Sequence, residues 1–390
     1  MKQWNKFEVF RSRVPAAQKE AYFDTGTTGL IPDFIYDAAR SFEKDRYQNV
    51  AHVWNCGGEP CHILEMMEWA KTALAKMIHG DKNDIFFGQN ASQGFSILTT
   101  GLELGPGDNV VLPDNGWMSN RFAWQCREKD GLEIRYAETK DGKLTPESVF
   151  AQCDEHTKVV SLVYVDSATG YRCDVDVIGE FCRSKGIWFA VDAVQALGVL
   201  HVNVERSKID FLVGNDYKWM MNFCGTGFGY VSPRLREKLQ QRSAGWMSDD
   251  ERFNTAKWKL RLRDDAGRFE FGYPDVAGIY GLGLMAEAYN KLGAQDIEDY
   301  VLDLTDGLYD QAAVSETIEI LNKTDRTHRS PLVNIKIKDS ELTTQKLKEE
   351  GVIGEIKDRP EGRILRAAIH YYNNRADIEK LCAVLERRGQ

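Results

Sequence analysis

Residues 186–198 read GIWFAVDAVQALG, and residues 209–231 read IDFLVGNDYKWMMNFCGTGFGYV. Each stretch begins with an apolar run of strand length and then turns polar. The first delivers a carboxylate, Asp192, with Gln195 three positions on. The second delivers an amine, Lys218, in the loop after its strand. Working outward, short apolar runs recur at Asn109–Leu112, Leu132–Tyr136, Val159–Val165, Ile187–Val191, Ile209–Val213 and Gly227–Val231. Helical patterns lie between several of them. PCHILEMMEWAKTALAKMIHG places Ile63, Met66, Met67, Ala70, Leu74 and Met77 near a 3.6-residue period, with Gly80 as its stop. Thr145-Pro146-Glu147 is an N-cap followed by proline in the first turn. Another helix is expected over Val175–Lys185, ending at Gly186. Apolar strands alternating with helices imply an α/β fold, a mostly parallel sheet between helices. Ligands of such sheets bind beyond the C-terminal strand ends.

The last hundred residues have a different texture, with long polar helices, a strand-like LVNIKIK at 332–338, and a final helix. Asn374 caps that helix, and Ile378, Leu381, Cys382 and Leu385 share one face. Gly267, Gly272, Gly278, Gly281 and Gly283 cluster where the texture changes. The expected organisation is a large α/β domain over residues 41–279 and a smaller α+β domain built from 1–40 plus 280–390.

Composition bounds the function. Of 390 residues, 43% are hydrophobic and 28% charged, which excludes collagen, extended disorder and a disulfide-stapled miniprotein. The formal charge of −9 argues against a nucleic-acid or anionic-membrane surface. KWKLRLR at 257–263 interleaves basic and apolar residues, and an amphipathic strand or loop accounts for it. No apolar run approaches the roughly 18 residues that span a bilayer. MKQWNKFEVFRSRVP has no apolar core of a secretory signal. The eight cysteines have no repeated spacing and read as free thiols of a cytoplasmic protein. His52, Cys56, Cys61 and His62 in HVWNCGGEPCH lack the tight ligand pairs of structural zinc. That segment is expected to form a loop on the substrate side, and no metal is expected. Gly225-Thr226-Gly227 lacks the helix and acidic residue of a dinucleotide fingerprint.

The remaining strand ends complete a set of groups. FFGQNASQGF (86–95) carries a small polar turn, Asn90-Ala91-Ser92, ahead of a helix. VVLPDNGWMSNRFAW (110–124) carries Trp117, and YVDSATG (164–170) carries Ser167. A carboxylate, an amine, a phosphate-sized nest, an aromatic face and hydroxyls are what pyridoxal 5'-phosphate requires. Its aldehyde needs a lysine, its pyridine nitrogen a carboxylate, its ring a flat partner, and its phosphate the amides of a helix N-terminus.

With these residues in place, the sequence resembles the class V (fold-type I) pyridoxal-phosphate enzymes. That group holds cysteine desulfurases, isopenicillin-N-epimerase-like proteins, kynureninases and small aminotransferases. The resemblance runs from FDTGTTGLIP (23–32) to RAAIHYYNN (366–374). It is strongest in VDAVQALG followed by YKW, where Asp192 and Lys218 stand 26 residues apart. It implies that Lys218 is the Schiff-base lysine and Asp192 the partner of the pyridine nitrogen. Gln195 and Ser167 match residues near the phenolic oxygen, and Trp117 the residue stacked on the ring. Ala91 and Ser92 match the phosphate-binding turn, with Asn215 and Tyr217 as further phosphate contacts. Arg366 matches the arginine that binds the substrate α-carboxylate, a role suited to its planar fork. FEFGYPDVAGIYGLG (269–283) matches a segment that reaches the phosphate of the neighbouring subunit. The resemblance thus implies a homodimer with the site at its interface, and Tyr273 as a cofactor contact.

The chain departs from its relatives in ways that bear on the reaction. Desulfurases carry a catalytic cysteine shortly before the arginine, and GVIGEIKDRPEGRILR (351–366) has none; the nearest preceding cysteine is Cys224. Trp117 stands where desulfurases place a histidine, as in some aminotransferases of the group. Tyr273 replaces a common threonine, and Tyr217 a common histidine. The expected activity is transamination of a small amino acid, with a C–S lyase, a kynureninase-like hydrolase or an amino-acid epimerase as the alternative.

Overall fold

A computed structural model describes residues 4–48, 62–252, 254–321, 323–337, 340–359 and 362–386. The segment with His52, Cys56 and Cys61 lies outside the described residues.

The strands of the large sheet are β1 (Ile85–Gly88), β2 (Asn109–Pro113), β3 (Glu133–Ala137), β4 (Thr157–Val163), β5 (Trp188–Asp192), β6 (Phe211–Asn215) and β7 (Gly227–Val231). They lie in the order β1-β7-β6-β5-β4-β2-β3. β7 runs antiparallel to both of its neighbours, and all other pairs are parallel. Every expected strand is present within a few residues. β1 is the addition: residues 86–95 read as a turn before a helix, yet Ile85–Gly88 pairs along its whole length with β7. Four apolar residues give too short a run for a periodic signal.

Alternate side chains of the strands enter two apolar layers. Val110, Leu112, Val159, Ala190, Phe211 and Val213 pack on one side with Phe95 and Leu98 of the helix Ala91–Gly101. Val111, Val160, Leu162, Phe189, Val191 and Leu212 pack on the other with Ile178 and Cys182 of the helix Val175–Lys185. Burial on both faces explains why these strands read as unbroken apolar runs. The local stop signals operate as expected. Thr145 accepts a hydrogen bond from the Ser148 amide, Gly186 ends its helix at φ +71°, and Asn374 accepts from the Asp377 amide.

The later residues form a four-stranded antiparallel sheet of β8 (Glu319–Ile320), β9 (Leu332–Lys336), β10 (Glu355–Arg359) and β11 (Gly362–Ala368), ordered β10-β11-β9-β8. Arg366 on β11 lies opposite Asn334 on one side and Glu355 on the other. The early chain joins this region. Ala21–Tyr22 pairs in parallel with Val352–Ile353, and the Ala368 amide donates to Phe23 O. The helix Val276–Leu292 runs through the expected junction at 279/280. Three of the clustered glycines lie inside it, with Gly278, Gly281 and Gly283 packed against Thr226, Asn222 and Trp69. KWKLRLR forms an irregular loop in which three of the four cations are matched locally: Lys257 with Asp249 and Asp250, Arg261 with Asp250, and Arg263 with Asp265. No helix among the described residues is long and apolar enough to cross a membrane.

Candidate active site

Beyond the C-terminal ends of β4, β5 and β6 lies an open-mouthed cavity. Ala91, Ser92, Trp117, Ser167, Asp192, Gln195, Asn215, Tyr217 and Lys218 all line it. The structure thus gathers nine of the residues singled out in the sequence. Asn90, Ser119, Val163, Val165 and Val194 line it too.

Asp192 ends β5 and is 5% exposed. Burial pushes its carboxyl up to about 6, against the pull of the Val194 amide and of Lys218. The Val194 amide donates to Oδ1 at 3.0 Å. Lys218 follows β6. Burial draws its amine down to about 8, Asp192 draws it up, and Arg366 draws it down. The two groups therefore influence each other's charge in a nearly dry site. Lys218 Nζ stands 5.7 Å from the centre of the Trp117 indole and 6.0 Å from the Tyr217 ring. Trp117 is half exposed, because it caps the helix Met118–Gln125 rather than joining the core.

The helix Ala91–Gly101 opens onto the same space. Asn90 Oδ1 accepts from the Gln93 amide, and Ser92 Oγ donates to Ser119 Oγ at 2.8 Å. The earlier amides of the first turn have no acceptor within the helix, which makes them an anion seat. Asn90 is legible in the sequence as part of a small polar turn and Ser119 carries no signal there; the contact of Ser92 with Ser119 comes from packing.

Gln195 is oriented by its neighbours. Its Oε1 accepts from the Trp219 indole at 2.7 Å and its Nε2 donates to Gly26 O at 3.0 Å. Trp219 O in turn takes a hydrogen bond from His370 Nε2 at 3.1 Å, the tautomer this acceptor dictates. Burial holds the His370 imidazole down at about 3, so it stays neutral. The loop 23–32 presses on the lysine from the other side. The Gly29 amide donates to Tyr217 O at 2.7 Å, and a Cβ on Gly29 would lie 2.0 Å from Lys218 O. Only glycine fits that approach.

Arg366 reaches the site from the small sheet. Its Nη1 donates to Ser167 O at 2.9 Å and its Nη2 to Thr27 Oγ1 at 2.8 Å. Nη2 also lies 2.6 Å from Glu355 Oε2. Glu355 was not foreseen. It sits in a polar strand, EIKDR, and only the pairing of β10 with β11 brings it to Arg366. Tyr273 does not line this cavity. It is half exposed, just ahead of the helix Val276–Leu292.

The donor set fits pyridoxal phosphate. A buried carboxylate and a partly buried amine with a lowered proton affinity share one cavity with an indole face and an open helix N-terminus. Comparison with known proteins agrees. Residues 21–381 match the family described as Aminotransferase class-V. A probable cysteine desulfurase of Methanothermobacter thermautotrophicus is 24% identical over 393 residues, covering 97% of each chain. Among solved structures, a cysteine desulfurase from Thermococcus onnurineus superposes with a TM-score of 0.86 at 21% identity, covering 97% of each chain. The cystine C-S lyase C-DES, in complex with cysteine persulfide, superposes at 0.85 and 20% identity, covering 97% of this chain and 100% of that one. A second C-DES structure holds glycine linked to its pyridoxal-phosphate cofactor. From its family match, its sheet topology and its gathered site, the chain belongs to the class-V aminotransferase family of pyridoxal-phosphate-dependent, fold-type I enzymes.

Proposed function

We propose that this protein is a C–S lyase, cleaving the Cβ–S bond of a small sulfur-containing L-amino acid by elimination. One observation carries the reading. The hairpin that carries Arg366 also carries Glu355 and Lys357 and no cysteine, and none of the cysteines among the described residues lines the cavity. A desulfurase needs a protein thiol to receive the sulfur; an elimination lets the sulfur leave with its own fragment. The names of the relatives support C–S chemistry over the transamination expected from Trp117.

Pyridoxal phosphate, when bound, supplies an electron sink for the bond broken at Cα. The chain's own groups divide the remaining work. Lys218 Nζ would hold the cofactor aldehyde, and its amine, when free, is placed to take the Cα proton. The Asp192 carboxylate accepts the pyridine N–H. The amides of Ala91 and Ser92, with Asn215 and Tyr217, receive the phosphate. Gln195 and Ser167 would face the phenolic oxygen, and Trp117 would cover the ring. Arg366 grips the substrate carboxylate and fixes the Cα–H bond toward Lys218. The sulfur leaves with the electron pair of the Cβ–S bond, and the unsaturated three-carbon remainder takes up water to give pyruvate and ammonia. We read the working form as a cytoplasmic homodimer in which Tyr273 reaches the neighbouring subunit's phosphate.

The test is incubation of the holoenzyme with L-cysteine and L-cystine, followed by assays for pyruvate, ammonia and sulfide or persulfide. Equal amounts of pyruvate and ammonia are expected. Conversion of the cofactor to its amine form by an amino donor, with keto acid and no sulfur product, would restore transamination instead.

A further inference from the structure

Arg366 has two kinds of partner. Ser167 O and Thr27 Oγ1 are neutral acceptors that fix the guanidinium in place. Glu355 is different. Its Oε2 is 2.6 Å from Nη2, yet the contact is not aligned as a hydrogen bond. Arg366 Nε, beside it, is buried without a hydrogen-bond partner. The Nε–Nη2 edge is a fork built for two parallel bonds to a carboxylate. Here it holds a carboxylate at one corner only. The other oxygen of Glu355, Oε1, lies 2.8 Å from Lys357 Nζ. Lys357 is the outer cation, with its side chain 43% exposed against 6% for Arg366. Glu355 thus stands between an inner and an outer positive charge. It can leave the first without being left unpaired, which is what makes removal of a buried ion partner costly.

We propose that Glu355 is a specificity-determining residue, an internal carboxylate that occupies the seat on Arg366 and moves over to Lys357 when a substrate carboxylate takes the Nε–Nη2 edge. This rests on the reading of Arg366 as the carboxylate-binding residue. A well-aligned bidentate carboxylate displaces Glu355; a ligand offering a single acceptor does not. The wild-type enzyme therefore binds carboxylates more weakly than its arginine alone would. In return, Arg366 is never left uncompensated in the free enzyme.

The experiment is calorimetric titration of the holoenzyme with propionate, a carboxylate that has no amine and cannot react. Glu355→Gln removes the competing charge, and propionate should bind about tenfold tighter. Lys357→Met removes the outer station, and propionate should bind about threefold more weakly. Shifts of opposite sign separate this role from a structural one, which would weaken binding in both variants. Unchanged or weaker binding in Glu355→Gln overturns the proposal. If that variant does not fold, unchanged or tighter binding in Lys357→Met overturns it alone. Opposite shifts without C–S cleavage of any substrate would leave Glu355's role standing and remove the lyase reading. Cleavage without those shifts would do the reverse.

Discussion

Asp192 and Lys218 stand at the ends of buried strands, whereas Arg366 and Glu355 face each other across a polar hairpin. The first pair is positioned by the sheet: β5 and β6 lie inside it, Asp192 ends β5, and Lys218 follows β6 by three residues. Burial dominates their proton affinities. The second pair is held by charge, with one corner of the guanidinium fork unfilled. The contrast teaches a division of labour. On the proposed readings, the large sheet would fix the cofactor's position and the hairpin would supply an adjustable grip on the substrate.

The largest expected effect breaks the fixed half. Lys218→Ala should lower turnover by on the order of 10⁴-fold or more, and borohydride should no longer attach the cofactor to the protein. Retained turnover would remove Lys218 from the mechanism.

Next comes the pH dependence of the cofactor-free protein. Burial lowers the Lys218 amine from the usual 10.5 to about 8. Between these values the unfolded chain binds a proton that the folded chain does not, so stability rises with pH there. Below about 8 both forms are protonated and the full penalty applies. Lys218→Met should relieve about 3 kcal/mol at pH 7 and nothing above pH 10.5. Urea unfolding of both proteins at pH 7 and pH 11 measures the difference. A gain that does not depend on pH would assign it to packing instead.

A smaller effect tests how rigidly the lysine is held. Gly29→Ala puts a methyl against Lys218 O and should cost about 3 kcal/mol, read from the urea midpoint, along with weaker cofactor retention. A silent substitution would show that the loop 23–32 can yield, and the two halves would then differ less than stated. The smallest effect concerns Gln195. Trp219→Phe removes the indole donor to its amide oxygen, at a cost of about 1 kcal/mol. Cofactor affinity should fall slightly more in this variant than in Asn374→Ala, which only removes a remote helix cap.

The same division decided what the sequence disclosed. Strand ends announce themselves locally: an apolar run stops and a functional residue follows. Asp192, Lys218, Trp117 and the Asn90-Ala91-Ser92 turn were legible for that reason. Glu355 was not, because EIKDR has the composition of a surface loop and its meaning depends on a partner 11 positions away in an antiparallel register. Ser92 and Ser119 meet through the packing of two helix starts, which no spacing rule encodes. β1 is too short to signal itself and exists because β7 offers it an edge.

The pairing of Ala21 with Val352 joins residues 331 positions apart. A ribosome adding about 5–20 residues per second needs roughly 15–65 s to bridge that interval. Late in that time, once synthesis has passed Val231, the strand bearing Asp192 and the loop bearing Lys218 are already made, while the last strand of the small sheet, Gly362–Ala368, has not been synthesised. On the proposed reading of these residues, the nascent chain completes the strand ends that would seat the cofactor before it makes the strand that carries Arg366.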